Sequence, residues 1–175
     1  MTLTAEPIPA SDLLDRLLNL QPTNPLHAVR HARGKVVAST QACQDLFFDP
    51  TLESNLSLIE RLWVAYYAAR LTPHPTLTAH YLEQLQALDA DNSVRAAIDS
   101  GAIETLNDAR LRAILSFTRT LIESPVHGDQ VALQALQHEG LSTAEVVVLA
   151  QLIAFLSYQV RLAAGLGALL SAGAA

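Results

Sequence analysis

Residues 57–81 read SLIERLWVAYYAARLTPHPTLTAHY, and the fold is decided by how this stretch is divided. Ser57 and Glu60 have the S-x-x-E spacing of a capping box, in which each side chain satisfies the other residue's backbone N–H. From residue 62 to residue 69 no charge interrupts the helix that follows, which predicts burial on both sides, by the rest of the domain or by a second subunit. Pro73 and Pro75 cannot continue that helix, because each lacks a donor and biases its predecessor towards extended geometry. A second helix follows the turn, and His80, about one turn into it, is expected to face back towards the junction.

Outward from this hairpin the punctuation is helical throughout. Ser142 and Glu145 form a second capping box and launch the longest helix, expected to run to about residue 170. Leu77, Tyr81, Leu82, Leu85 and Leu88 recur at i, i+3, i+4, as do Leu111, Ile114, Leu115, Thr118, Leu121 and Ile122. Asn107 or Asp108 opens the second of these faces, and Gly101 sits where a left-handed C-cap is expected. Ser11 can cap a short leucine-rich helix, Asn24–Pro25 reads as a further start, and Gly34 as a stop or bend. No credible strand appears. The expectation is an all-α protein of about seven to nine helices. It comprises an N-terminal helical extension (residues 1–56) packed on a core (57–170), with a frayed tail (171–175).

Half of the 175 residues are hydrophobic and the formal charge is −6, with a pI near 5.4. This balance excludes a phosphate-backbone binder, so no nucleic-acid partner is expected. The first twenty residues lack a basic start and an unbroken apolar run, so they do not read as a secretory signal. The apolar tract over residues 146–160 is interrupted by Gln151, Ser157 and Gln159, and reads as a buried core helix rather than a membrane span. A single cysteine, Cys43, is compatible with a reducing cytoplasm.

Few residues carry obvious chemistry. His27 and His31 can share a helix face, but no third ligand lies near them in sequence, which predicts a surface pair within a small basic patch that also holds Arg30, Arg33 and Lys35. His74 and His80 flank no metal-binding motif, so neither a metal nor a cofactor is expected. Cys43 lies on an apolar helical face and reads as a small core residue. His80 is the best acid–base candidate, since its ordinary pKa is near neutrality. Glu60 and Arg61 are expected to join it as catalytic partners if the two helices fold back antiparallel.

The order ERxxVAxxAARLT, a turn, xxHY, then DARLRAILSFTxxL, VALQALxxEGLSTAEVVVL and YQVRLAxGLG resembles the carboxymuconolactone decarboxylase/alkylhydroperoxidase D-like superfamily over residues 57–167. Residues 24–48 resemble the N-terminal extension of its CMD-domain subgroup. The resemblance implies an alkylhydroperoxidase D-like helical bundle and a homo-oligomer, from dimer to hexamer. Its peroxidase members carry a C-x-x-C pair with a histidine four residues after the second cysteine and a glutamate on the preceding helix. His80 matches the histidine, but Pro73 and Thr76 stand at the thiol positions. The relay glutamate falls on Arg61, or on Glu60 after a one-residue slip. A thiol–disulfide cycle needs two adjacent thiols, so the resemblance implies a family member of peroxide or carboxymuconolactone-type metabolism whose peroxidase centre is missing. Two alternatives stand beside it. One is a lyase or isomerase in which His80 moves a proton, Arg61 or Arg161 pairs with a small acidic substrate, and Trp63, Tyr66 and Tyr81 wall the pocket. The other is a non-catalytic ligand-binding or structural oligomer.

Overall fold

Ser57 starts helix α4 (Leu58–Leu71) by the reciprocal geometry its spacing predicts: its N–H donates to Glu60 Oε2 at 2.7 Å and its Oγ accepts the Glu60 N–H at 3.2 Å. The structure, a computed structural model, describes residues 12–52 and 56–173. Every residue of α4 from Arg61 to Ala69 is buried, because α4 is surrounded by α5 (Pro75–Ala87), α7 (Ala109–Glu123) and α9 (Thr143–Gly173). This burial is complete within one chain, so the charge-free run is no argument for a subunit interface. Nine α-helices and no strand occur among the described residues, and the all-α expectation holds.

Arg61 is the charged member of the buried run, 2% exposed. Its guanidinium donates to the carbonyls of Phe47 (2.6 Å), Asp49 (3.2 Å) and Ser57 (3.4 Å). A buried cation must be hydrogen-bonded to be tolerated, and here the partners are backbone carbonyls at and just beyond the end of α3 (Gly34–Phe47) and at the start of α4. Burial pulls the Arg61 pKa down, while Asp49 and Glu60 hold it up.

After α4, His74 rather than a serine or aspartate caps α5, its Nδ1 accepting the Leu77 N–H at 3.3 Å ahead of Pro75. In the N-terminal extension, Asp12 caps α1 (Leu13–Leu17) by accepting the Asp15 N–H; Ser11, the expected cap, lies outside the described residues. Asn24 caps α2 (Pro25–His31), and Gly34 begins α3 instead of ending a helix. The extension is tied down by a hydrogen bond from the Leu13 N–H to Gln41 Oε1 at 2.7 Å and by contacts of α3 with α2 and α9. Asp91 caps α6 (Asn92–Asp99), which ends at Gly101 with φ +73°, and Asp108 caps α7. Residues beyond α8 (Gln130–His138) turn at Gly140, φ +85°, into α9.

α9 is 31 residues long and is helical through Gly173. With a mean hydropathy of 1.7 over its most apolar stretch it is long and apolar enough to cross a bilayer, yet half of that stretch is buried in the protein. Its inward stripe, including Leu149, Leu152, Leu156, Val160 and Ala163, follows the three-to-four-residue period of a core helix. One polar residue interrupts the stripe. Gln159 accepts the Tyr81 hydroxyl at 2.6 Å and donates to Gln44 Oε1 at 2.7 Å, joining α9, α5 and α3 through a buried trio. Burial drives the Tyr81 phenol far above its ordinary pKa, so it stays a donor.

The two capping-box glutamates share one partner. Arg110, in the first turn of α7, donates to Glu60 Oε1 at 2.8 Å and to Glu145 Oε1 at 2.6 Å, gathering the N-termini of α4, α7 and α9. Burial opposes ionisation of Glu145, but hydrogen bonds from Ser142 and the charge of Arg110 win, and its pKa lies below the ordinary value of 4.5. Its contribution to stability is therefore full above pH 4.5 and is lost as pH falls through the lower folded value. Arg110→Met is expected to cost about 1–3 kcal/mol in urea denaturation, because it strands two carboxylates that are mostly shielded from water. Glu145→Gln should remove part of the acid-induced loss of stability seen in the parent.

Candidate functional site

His80 lies on the flank of α5 beside its buried face, and α1 and the end of α3 come down over it. Together they line an open cavity of about 480 Å³ whose polar lining includes Arg16, Gln44, Asp45, Asp49, His80 and Gln84. His80 Nε2 is 2.9 Å from the Gln84 amide nitrogen. That group can only donate, so Nε2 accepts and the ring proton sits on Nδ1. The ring also packs on Tyr81, with centroids 5.1 Å apart. Burial lowers the His80 pKa, the positive charge of Arg16 on α1 lowers it further, and Glu83 on α5 opposes both. His80 is consequently a neutral imidazole with a directed lone pair at physiological pH.

The charges around it are unequally engaged. Asp45 accepts from the Gln41 amide at 2.7 Å. Asp49 accepts both the N–H and the hydroxyl of Thr51 at 2.7 Å, which hold its pKa down. The exposed Arg16 guanidinium has no hydrogen bond or ion pair among the described residues. The cavity thus offers a base and an unpaired cation, with its carboxylates already occupied.

Glu60 and Arg61 do not line this cavity. Antiparallel packing of α4 and α5 brings the helices together, but Glu60 is taken by the capping box and Arg110, and Arg61 by three carbonyls. Arg161 is exposed on α9 and donates back to the Ser157 carbonyl. Arg16 therefore stands where Arg61 or Arg161 was expected. Its place depends on α1 docking over α5, a contact across more than sixty residues that no local pattern announces. The polarity of Arg16 on an otherwise leucine-rich helix was the available signal. Trp63 and Tyr81 are buried in the core, and Tyr81 stands behind the cavity wall with Gln44.

The proline turn opens onto a different cleft, of about 720 Å³, lined by Tyr66, Arg70, Pro73, His74, Arg95 and Asp99 and lying on the other flank of α5. His80 does not face it. Tyr66 donates to Asp99 Oδ1 at 2.6 Å, and Asp99 also pairs with Arg70 and Arg95 at 3.4 Å. Pro73 lines this cleft, whereas Thr76 is exposed one turn before His80 on α5, so the two thiol positions are divided between the cleft and the histidine's side of the helix. Cys43 is half-buried against the core.

The histidine pair also departs from expectation. His27 and His31 are only 13% and 11% exposed at their side chains and converge on Asp15 of α1, so they are not a surface pair. Arg30 pairs with Asp12 and Asp15, which neutralises the centre of the expected basic patch.

No protein-family model matches the chain, and no curated protein matches it. The superfamily likeness therefore rests on the sequence motifs alone.

In an NMR titration, His80 should protonate below the ordinary histidine pKa of 6.5, and Arg16→Gln should move the midpoint upward. Because the folded value is the lower one, His80's contribution to stability is complete above pH 6.5 and is lost as pH falls through the folded pKa.

Proposed function

We propose that this chain is a thiol-independent member of the carboxymuconolactone decarboxylase/alkylhydroperoxidase D-like group, and that it carries out proton-transfer chemistry on a small carboxylate substrate. The observation that carries the reading is a neutral His80 facing an unpaired Arg16 across a cavity of small-molecule size. Arg16 holds the substrate carboxylate. A carbon acid of the substrate displaces the Gln84 amide from Nε2, and His80 takes its proton as general base. The imidazolium formed returns that proton to a neighbouring carbon of the same conjugated system, or to the leaving group on the β-carbon as its bond breaks and the new double bond forms. Either outcome is an isomerase or lyase step and needs no oxidant, which agrees with the lone cysteine. Self-association, as dimer to hexamer, belongs to the same proposal and is supported by the family resemblance alone.

The test is turnover of small unsaturated lactone carboxylates, carboxymuconolactone among them, by purified protein. His80→Gln should lower kcat by at least about 100-fold with an unchanged helical circular-dichroism spectrum. Arg16→Gln should mainly raise KM. Full activity in His80→Gln would leave only a non-catalytic role for the cavity. Peroxide turnover with a dithiol donor that vanishes in Cys43→Ser would overturn the thiol-independent reading.

A further inference from the structure

Away from the His80 cavity, α1 and α2 bring three metal-type donors to one point. His27 and His31 are one helical turn apart on α2, and their rings stack with centroids 4.0 Å apart at 16°. Both direct Nε2 at the same oxygen, Oδ2 of Asp15, at 3.7 and 2.6 Å. The three donor atoms all lie within 4.8 Å of one another. We propose that Asp15, His27 and His31 bind a divalent transition metal of the zinc class, which cross-links α1 to α2.

The geometry favours an ion over a proton. At 2.6 Å a proton bridges His31 and Asp15, but at 3.7 Å His27 is beyond hydrogen-bonding range of the oxygen it faces. One proton serves one ring, whereas one cation serves both. Tetrahedral ligands about 2.0–2.2 Å from zinc stand roughly 3.3 Å apart, between the two His–Asp15 separations observed, and all three donors already lie within 4.8 Å of one another, so rotamer adjustments complete the shell. Two imidazoles and a carboxylate, with a fourth position left to water, are ligands zinc commonly takes.

Arg30 supplies the outer support. Its NH1 donates to Asp15 Oδ1 at 2.7 Å, and its NH2 pairs with Asp12 at 2.9 Å. Asp15 is thereby held with Oδ2 turned to the rings, the usual task of an outer-shell partner. Asp12 balances the charge of Arg30, leaving that of Asp15 for the ion.

The full chain, stripped with chelator and dialysed, should bind one equivalent of Zn²⁺ in calorimetry, and Co²⁺ should give visible d–d absorption. His27→Asn, His31→Asn and Asp15→Asn should each weaken Zn²⁺ binding by about 100-fold or more, whereas His74→Asn, in the turn, should not. Equal affinity in the His27 and His31 variants, or no binding by the parent, overturns the site. Paramagnetic Co²⁺ shifts in the unmutated protein give a readout that needs no variant to fold. They should centre on residues 15, 27 and 31, and shifts centred elsewhere overturn the assignment. None of these readouts involves His80 or turnover, so the metal site stands or falls apart from the proposed reaction.

Discussion

Three helix N-termini meet at Arg110, and the rest of the molecule is arranged around that meeting. The starts of α4, α7 and α9 each present unpaired N–H groups and the positive end of a helix dipole. Bringing three such ends together is unfavourable unless negative charge is placed among them, and Glu60 and Glu145 supply it. Arg110 then prevents the two carboxylates from repelling one another. Each glutamate satisfies its own helix and binds the shared cation, so the relative positions of the three core helices are set at one end by a single arginine.

Away from this clamp, a second arginine fixes the peripheral layer. Arg61 is buried in α4 and reads the carbonyls at the end of α3. The segment from α3 to α4 is therefore held from inside, which fixes the direction in which α3 runs back over α5. α1 is attached to α3 through Leu13 and Gln41, and it is α1 that brings Arg16 to His80. The candidate site is thus a product of the extension: α5 contributes the base, and the layer over it contributes the cation and most of the walls.

Those contributions differ in how far they can be read from residues alone. The two capping boxes, the proline turn, the glycine at residue 101 and the all-helical class are local patterns, and local hydrogen bonding produces them directly. His80 is legible as a candidate because an ionisable ring beside a helix junction is unusual. Arg16 and Asp15 are not, since the groups they face lie on other helices and their only local mark is polarity on a leucine-rich helix. Arg61 shows the converse failure. A charge beside an apolar run suggests chemistry, but the carbonyls at a helix end are a stronger claimant for a buried guanidinium than a substrate is.

The same reasoning bears on the positions where a thiol pair would stand. Pro73 belongs to the cleft on one flank of α5 and His80 to the cleft on the other, with the buried Leu77 and Tyr81 between them, while Thr76 lies one turn before His80 on the histidine's side. A cysteine at 73 would sit in the cleft of Tyr66 and Asp99, away from the imidazole, and only one at 76 would share the histidine's side of the helix. Pro73 also ends the connection that His74 and Pro75 use to start α5, so its ring has a structural task that a cysteine would not perform. The turn is committed to beginning a helix, and the chemistry available to α5 is what its other flank can reach. That flank meets the extension, which makes the docking of α1 over His80 the step on which a functional site depends.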